Sequence, residues 1–600
     1  MKKRVAKLLA TAMTLSMLLT ACSGNASQQS NAQVHTTSEQ QTFTPPTSDS
    51  TSTQEITSAE RPDLAGVEQV FNWNLVSEPP SLDPGLSSAL NGSHVIMNLY
   101  EGLFRDRGRS NRRPEPAAAQ SVDISQDGLV YIFTLRDGAL WSDGVPVRAQ
   151  DFEFSWKRTI NPATASTTGY IFEPIKNFSI INSSVPNSDG TFSDENGNIV
   201  LNEDGNPITL DDLGIESLDD KTLKVTLERP TDYFLGTTDS SPMVPLREDI
   251  VGDDISGLWA RDPEKVVSNG PFVLANYTIG DSFVLEKNEN YWDSDEVVLE
   301  KINVRFITDA STALTSFRAN EIHYSEQFPT EEMQALLRTG EVRVFDILGL
   351  QSYVLNTETE ELKDVNVRLA ISKIISREDI AAFRGAGNTP ATGMVPYGIY
   401  SSTGEDFRDI AGDHGVSLTS DFEGALELLQ EAGYTVVDGK VQDFPRLEIF
   451  INTGSNHEEV AQIIQNDFRE VGIEIDIRIQ EWQVFLNSRS NLEYNGIARH
   501  GWAGAYVDPQ TFIEIFRTGN DSAGNGYSNP EFDAAIEKAT VAMGSERFEL
   551  WAEAERILME DRYVIPLVYD GEPALVNPSV QGLYVQPTGH LWFGDTFLAE

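Results

Sequence analysis

The chain has 600 residues, 40% hydrophobic and 23% charged, with 92 acidic against 44 basic residues and a formal net charge of −48. Such acidity argues against a nucleic-acid reader, which needs a basic footprint for phosphates, and the length allows about four domains. A single cysteine excludes both an intramolecular disulfide and a thiolate metal cluster.

The first segments concern export rather than fold. Lys2, Lys3, Arg4 and Lys7 precede a short apolar run, the pattern of a secretory signal and too short for a membrane span. Leu19-Thr20-Ala21-Cys22 resembles the lipobox of bacterial lipoproteins. The resemblance implies removal of residues 1–21, diacylation of Cys22, and a mature protein tethered to the outer face of the cytoplasmic membrane of a Gram-positive-type cell. Residues 22–66 are rich in Ser, Thr and Gln. They carry too little apolar surface to offset the entropy of ordering and read as a flexible linker.

Folded sequence is expected from about Val67. Tyr131, Phe133 and Leu135 alternate as in a strand, Asp137-Gly138 and Ser142-Asp143-Gly144 signal turns, and a helix is expected from Ala149. Residues 183–213 form a polar insertion with repeated Asp-Gly and Asn-Gly turns. Asp194, Asn196 and Asn198 have calcium-loop spacing, but Ile199 and Gly205 stand where an EF-hand needs Gly and Glu, so hairpins are expected instead.

The clearest architecture comes late. Leu447, Ile449 and Ile451 alternate, then Val460, Ile463, Ile464, Phe468 and Val471 share a helical face stopped by Gly472. Ile473, Ile475, Ile477 and Ile479 alternate again. Strand, helix and strand in so short a span make a βαβ unit, whose usual home is a parallel sheet. Helices are also expected in SDFEGALELLQEAGY before this unit and SERFELWAEAERILMEDR after it, giving an α/β class.

Motifs for catalysis are lacking. There is no GxSxG, Walker loop or HExxH, and His457-Glu458-Glu459 lacks the second His of a zincin. Gly385-Ala386-Gly387-Asn388 reads as a loop. No catalytic residue, cofactor or metal site is expected.

Ordered segments then carry a resemblance. EPPSLDP (78–84), LYEGLF (99–104), TLRDGALWSDGVPVRAQDFEFSWKR (134–158), SNGPFVL (268–274), LEKNENYW (285–292), DVNVRLAIS (364–372), GWAGAYVDP (501–509) and YSNPEFD (527–533) are similar to the oligopeptide- and dipeptide-binding proteins of bacterial ATP-binding-cassette importers. The resemblance implies a bilobed periplasmic-binding-protein-like fold of type II, with three domains and a ligand cleft between lobes. Domain I would comprise 67–100, 225–325 and 570–600, domain II 101–224, and domain III 326–569. It further implies a monomer that binds a peptide or peptide-like ligand by its main chain and serves a membrane permease, touching the membrane only through its lipid anchor.

Site residues carried over by resemblance are Gly501 and Trp502, whose loop pairs with peptide backbone, and Arg499, Arg489 and His457, which face the ligand, unless His457 is a surface residue opening the helix that follows it. Trp482 matches a pocket-lining Trp or else packs in the core. Tyr569 matches a cleft Tyr, and Leu90 a ligand-facing position in the first lobe. The departures concern charge. Ala505 replaces the Asp that meets the peptide α-ammonium, Ser88 replaces an acidic residue, and Thr168 replaces an aromatic. An enclosed ammonium without a partner costs about 3–5 kcal/mol. The amino terminus is therefore anchored by another carboxylate or absent from the ligand, as in a blocked peptide, a cell-wall fragment or another solute. Asp508 is a candidate substitute, or else a cap on the following turn. A surface sensor or chaperone on the same fold would share this sequence.

Overall fold

Alternation builds the sheets. In the computed structural model, which describes residues 64, 66–108, 113–385, 387–454, 456–520 and 522–600, the strand Val130–Leu135 buries Tyr131, Phe133 and Leu135. It lies between Ala119–Ile124 and Thr222–Thr226, and Ile215–Ser217 completes a four-stranded antiparallel sheet. The expected helix, Ala149–Ile160, packs on this sheet and buries Phe152, Trp156 and Ile160. Cys22 and the signal segment lie outside the described residues.

The insertion 183–213 forms successive hairpin turns. Gly190, Gly197 and Gly205 each take a positive φ and donate their N–H to the carbonyl of Asn187, Asp194 and Asn202 respectively. Asp194 Oδ1 accepts the N–H groups of Asn196 and Asn198 at 2.9 and 2.8 Å, and Oδ2 accepts Asn198 Nδ2 at 2.9 Å. Its oxygens are turned into the hairpin, as a turn requires and a calcium loop does not.

The second sheet has eleven strands. In spatial order these are Phe272–Thr278, Ser282–Lys287, Lys301–Arg305, Val70–Asn74, Tyr324–Ser325, Val564–Val576, Val342–Leu355, Gly496–Ala503, Leu447–Asn452 and Ile475–Gln480, with Thr389–Pro390 also on Val564–Val576. The βαβ unit is present: Leu447–Asn452 and Ile475–Gln480 pair in parallel, and His457–Glu470 connects them. Val460, Ile464 and Phe468 are buried while Ile463 is half-buried. Ile473 precedes the strand instead of opening it. Because this strand is the sheet's last, the burial of its isoleucines fades outward until Ile479 is 40% exposed. The two flanking helices form over Phe422–Glu431 and Gly544–Asp561.

Two long antiparallel strands, Val342–Leu355 and Val564–Val576, cross between bodies with separate cores. Residues 342–346 pair with 571–575 and residues 350–354 with 564–569, and the register breaks between. Gly349 lies in the break, where a Cβ would approach Asp570 Cβ to 2.9 Å. On one side the core gathers Trp73, Trp141, Trp156, Leu285, Val576 and Phe593. On the other lie Leu350, Phe450, Phe512 and Trp551, with Ile371, Ile449 and Ile464 around a neighbouring cluster.

Candidate binding site

The stretch Arg499–Ala503 ends the strand Gly496–Ala503, and its hydrogen-bonding phase can be fixed. Gly504 N–H donates to Leu348 O at 2.7 Å, and Asn356 N–H donates to Gly496 O at 3.0 Å. In an antiparallel ladder bonded and non-bonded pairs alternate. The main chain of 498, 500 and 502 therefore faces the long strand, and that of 499, 501 and 503 faces away. On that outer edge Leu447–Asn452 pairs only with 496–498. Arg489 Nη1 takes the carbonyl of Arg499 at 2.9 Å. Gly501 and Ala503 are left presenting N–H and C=O to an edge that no strand among the described residues occupies.

Beside this edge lies a cationic cluster. Arg499 donates from Nη2 to Gln351 Oε1 at 3.1 Å and from Nη1 to Asn452 Oδ1 at 3.3 Å. Arg489 Nη2 reaches Ser522 O at 3.3 Å. Neither guanidinium pairs with a carboxylate among the described residues, and the Nε atoms of both are buried without an acceptor. Burial lowers the Arg499 pKa, and burial together with Arg499 lowers that of Arg489 to about 10. Uncompensated cations in so acidic a chain favour an incoming anion.

His457 opens its helix as expected, yet it is only 8% exposed and lines a cavity of about 20 Å³ with Arg499, Arg384, Gln351 and Tyr353. Burial, with Arg499 and Arg384 nearby, lowers its pKa to about 4, so it is neutral at pH 7. Gln351 passes the network on, donating Nε2 to Asp570 Oδ2 at 2.8 Å, while Arg384 Nη2 reaches Asp570 Oδ1 at 3.2 Å. Sequence reasoning missed Gln351, Arg384 and Asp570. Register aligns Gln351 with Gly501 on one side and Val568 on the other, near Asp570, and Arg384 reaches the same carboxylate from the end of the helix Arg377–Arg384.

The remaining expected residues are dispersed. Trp502 donates Nε1 to Thr511 O at 2.6 Å and stacks on His500 with centroids 6.1 Å apart. Trp482 is neither core nor deep pocket lining: it starts the helix Trp482–Ser490, is 40% exposed and stacks on Phe485. Tyr569 is buried in the crossing strand, where its hydroxyl bonds Gly393 N and O at 3.1 and 3.2 Å. Ser88 is exposed, and Leu90 lines a separate depression with His94 and Glu326. The first-lobe residues therefore stand apart from the Arg499 cluster.

Ala505 lines a cavity of about 340 Å³ between the two bodies, with Tyr506, Asp508, Tyr233, Asp232, Asp239 and Asp106 among its walls. Asp508 is committed elsewhere. Its carboxylate accepts Arg547 Nε at 3.0 Å, Arg547 Nη2 at 2.8 Å and Gln510 N at 2.9 Å, so it caps the turn and neutralises a fully buried guanidinium. Thr168 is the residue before the short helix Gly169–Phe172.

Among the described residues no group of three His, Cys, Asp or Glu side chains is placed to hold a metal ion. Ser352 Oγ lies 3.1 Å from His500 Nδ1. Both are buried and His500 Nε2 has no partner, so no orienting carboxylate completes a nucleophile–base arrangement.

Known proteins share this architecture. The model of the bacterial extracellular solute-binding proteins, family 5 (middle), matches residues 113–524. The oligopeptide-binding protein OppA of Bacillus subtilis (strain 168) is 31% identical over 536 residues, covering 88% of this chain and 92% of its own. A periplasmic murein tripeptide binding protein, MppA, in its unliganded open form, superposes with a TM-score of 0.74 at 27% identity, over 89% of this chain and 98% of that one. OppA of Listeria monocytogenes bound to peptide superposes with a TM-score of 0.64 at 25% identity, over 89% and 100%. The α/β fold is thus the bilobed type II periplasmic-binding fold that the sequence segments implied.

Proposed function

From the premise that the chain belongs to the bacterial extracellular solute-binding proteins of family 5, we propose that it captures oligopeptides in the interlobe cleft and delivers them to the membrane permease of an ATP-binding-cassette importer. It does so as a monomer held to the membrane by a lipid on Cys22. Binding, not catalysis, is its work.

The outer edge of Arg499–Ala503 carries this reading, because it offers alternate main-chain groups just before the segment that lines the interlobe cavity. A peptide laid along it adds a strand, so affinity comes from its main chain and side-chain identity is left open. Each such bond contributes about 0.5–1.5 kcal/mol net, and an enclosed group left unpaired costs more. Gly501 lets the ligand backbone come close. Arg499 and Arg489 receive a carboxylate, His457 widens that pocket as a neutral side chain, and Trp502, Trp482 and Tyr569 supply ring surface. Ala505 lines the interlobe cavity, while Ser88 and Leu90 lie apart from it.

Closure is a hinge motion about the two crossing strands. The register break opposite 569–571 supports a domain boundary at 569/570, and we place the other crossing at 347–349, where the same break falls. Residues 326–346 then move with the first lobe: Phe328, Leu336 and Val342 share a cluster with Leu314, Phe317 and Leu575. The remaining boundaries follow the division into 67–100, 225–325 and 570–600, and 101–224. The test is whether short peptides protect the Gly501 and Ala503 amides from hydrogen exchange.

A further inference from the structure

The interlobe cavity is lined by carboxylates that differ in how they are paired. Among the described residues Asp106, Asp232, Asp239, Asp508 and Arg113 line it, and the Arg113 guanidinium donates from Nη2 to Ser401 O. His590, also in the wall, is held neutral by burial, its pKa lowered to about 4.

Three of the four carboxylates are engaged. Asp508 is paired with Arg547. Asp106 accepts Gly108 N at 2.8 Å and Tyr584 Oη at 2.9 Å. Asp239 Oδ2 accepts Asp106 N and Gln586 Nε2, both at 2.7 Å. Asp239 is 8% exposed and its Oδ1 accepts no hydrogen bond, with Arg105 Nε 3.5 Å away. Asp239 is thus paired with Arg105 and closed to a ligand.

Asp232 differs from these. It is half-exposed, and its one hydrogen bond comes from Gly544 N to Oδ2 at 3.1 Å. Among the described residues no cation lies within ion-pair distance, although Arg547 and Arg113 act on it from farther away. Burial and the nearby Asp508 push its carboxyl up, a penalty that an arriving cation removes. The adjacent Tyr233 ring stacks on Tyr506 at 4.1 Å and 6°, so this wall is held against the segment carrying Ala505. A methyl at 505 leaves space in the same cavity, at the end of the strand whose open edge starts at Arg499.

We propose that Asp232 is the specificity-determining carboxylate that receives the α-ammonium of a bound peptide. The ligand then runs antiparallel to Gly496–Ala503, with its amino end at Asp232 and its carboxylate toward Arg499. This inference rests on the peptide-binding reading. Ionic anchoring selects free amino termini over blocked ones, and it comes from the lobe opposite the open strand edge, so occupancy favours closure.

The test uses the full-length protein and a library of three- to six-residue peptides with free or acetylated amino termini, with affinities measured by calorimetry. The wild type is expected to bind free peptides at least tenfold more tightly than their acetylated forms. Asp232→Asn should lower free-peptide affinity tenfold or more and leave acetylated peptides within threefold, so that discrimination collapses, and Asp232→Glu should restore part of it. Gly544 N can still find the Asn carbonyl, and an unchanged unfolding midpoint verifies that the variant is folded. Undiminished discrimination in Asp232→Asn, or binding without discrimination by the wild type, would overturn this assignment alone. Binding of neither form would overturn the peptide reading and the assignment with it.

Discussion

Replacing Asp508 by Asn separates stability from ligand capture. The native carboxylate is 3% exposed and makes two bonds, 3.0 and 2.8 Å, to a guanidinium that is itself fully buried. Asn retains one acceptor oxygen and turns an N–H₂ toward the cation. Breaking one partner of a buried pair costs about 3–5 kcal/mol. Arg547 keeps Gln510 Oε1 at 2.6 Å and the carbonyls of Ala539 and Thr540 at 2.8 and 3.1 Å, which places the expected loss near the lower end, about 3 kcal/mol. The assay is denaturant unfolding of wild type, Asp508→Asn, Arg547→Met and the double variant. The double variant should lose at least about 1.5 kcal/mol less than the sum of the singles. Peptide affinity of folded Asp508→Asn should stay within threefold. A stability loss under about 1 kcal/mol, or a tenfold fall in affinity at full stability, would refute the assignment of Asp508 to the fold.

At Gly501 a Cβ would lie 3.0 Å from Gln351 Oε1 and 3.1 Å from Arg499 Nη2, two atoms that bond each other. Gly501→Ala should therefore displace the Arg499 guanidinium and weaken peptide binding about tenfold, with a stability change within about 1 kcal/mol; calorimetry showing wild-type affinity would contradict the role given to this edge. At Glu572, burial with Glu326 and Asp570 nearby raises the carboxyl pKa to about 7. The folded state favours the protonated form, so this group's stabilising contribution is full below the unfolded pKa near 4.5 and is lost as pH rises through about 7. Glu572→Gln, which mimics the protonated form, should raise stability by about 1 kcal/mol at pH 8 and leave it unchanged near pH 4. An equal gain at both pH values in thermal melts would contradict this linkage.

What could be read from sequence was local. Alternation located Val130–Leu135 and the βαβ unit, because one buried face writes a period of two or 3.6 into the residues. The resemblance directed attention to Gly501 and Trp502, and the strand that carries them presents an edge that no strand among the described residues occupies. The rest is set by register. Nothing near Gly349 distinguishes a strand crossing from an ordinary apolar run, because the break arises from pairing with residues some 220 positions away. Arg547, the partner that commits Asp508, comes 39 residues later. Asp232 is one acid among 92, and only the fold shows that it lines the cavity with no ion-pair partner among the described residues. Trp482 is exposed because its helix starts at the surface, which its apolar character does not reveal.

Amide hydrogen exchange of the full-length protein, followed residue by residue with and without a saturating pool of three- to six-residue peptides, tests the central claim most directly. The account predicts that the amides of Gly501 and Ala503 exchange readily in the free protein and slow at least tenfold with peptide. Ile497, already covered by Leu447–Asn452, should not change. Protection absent from both residues while peptide is bound would contradict capture on this strand edge.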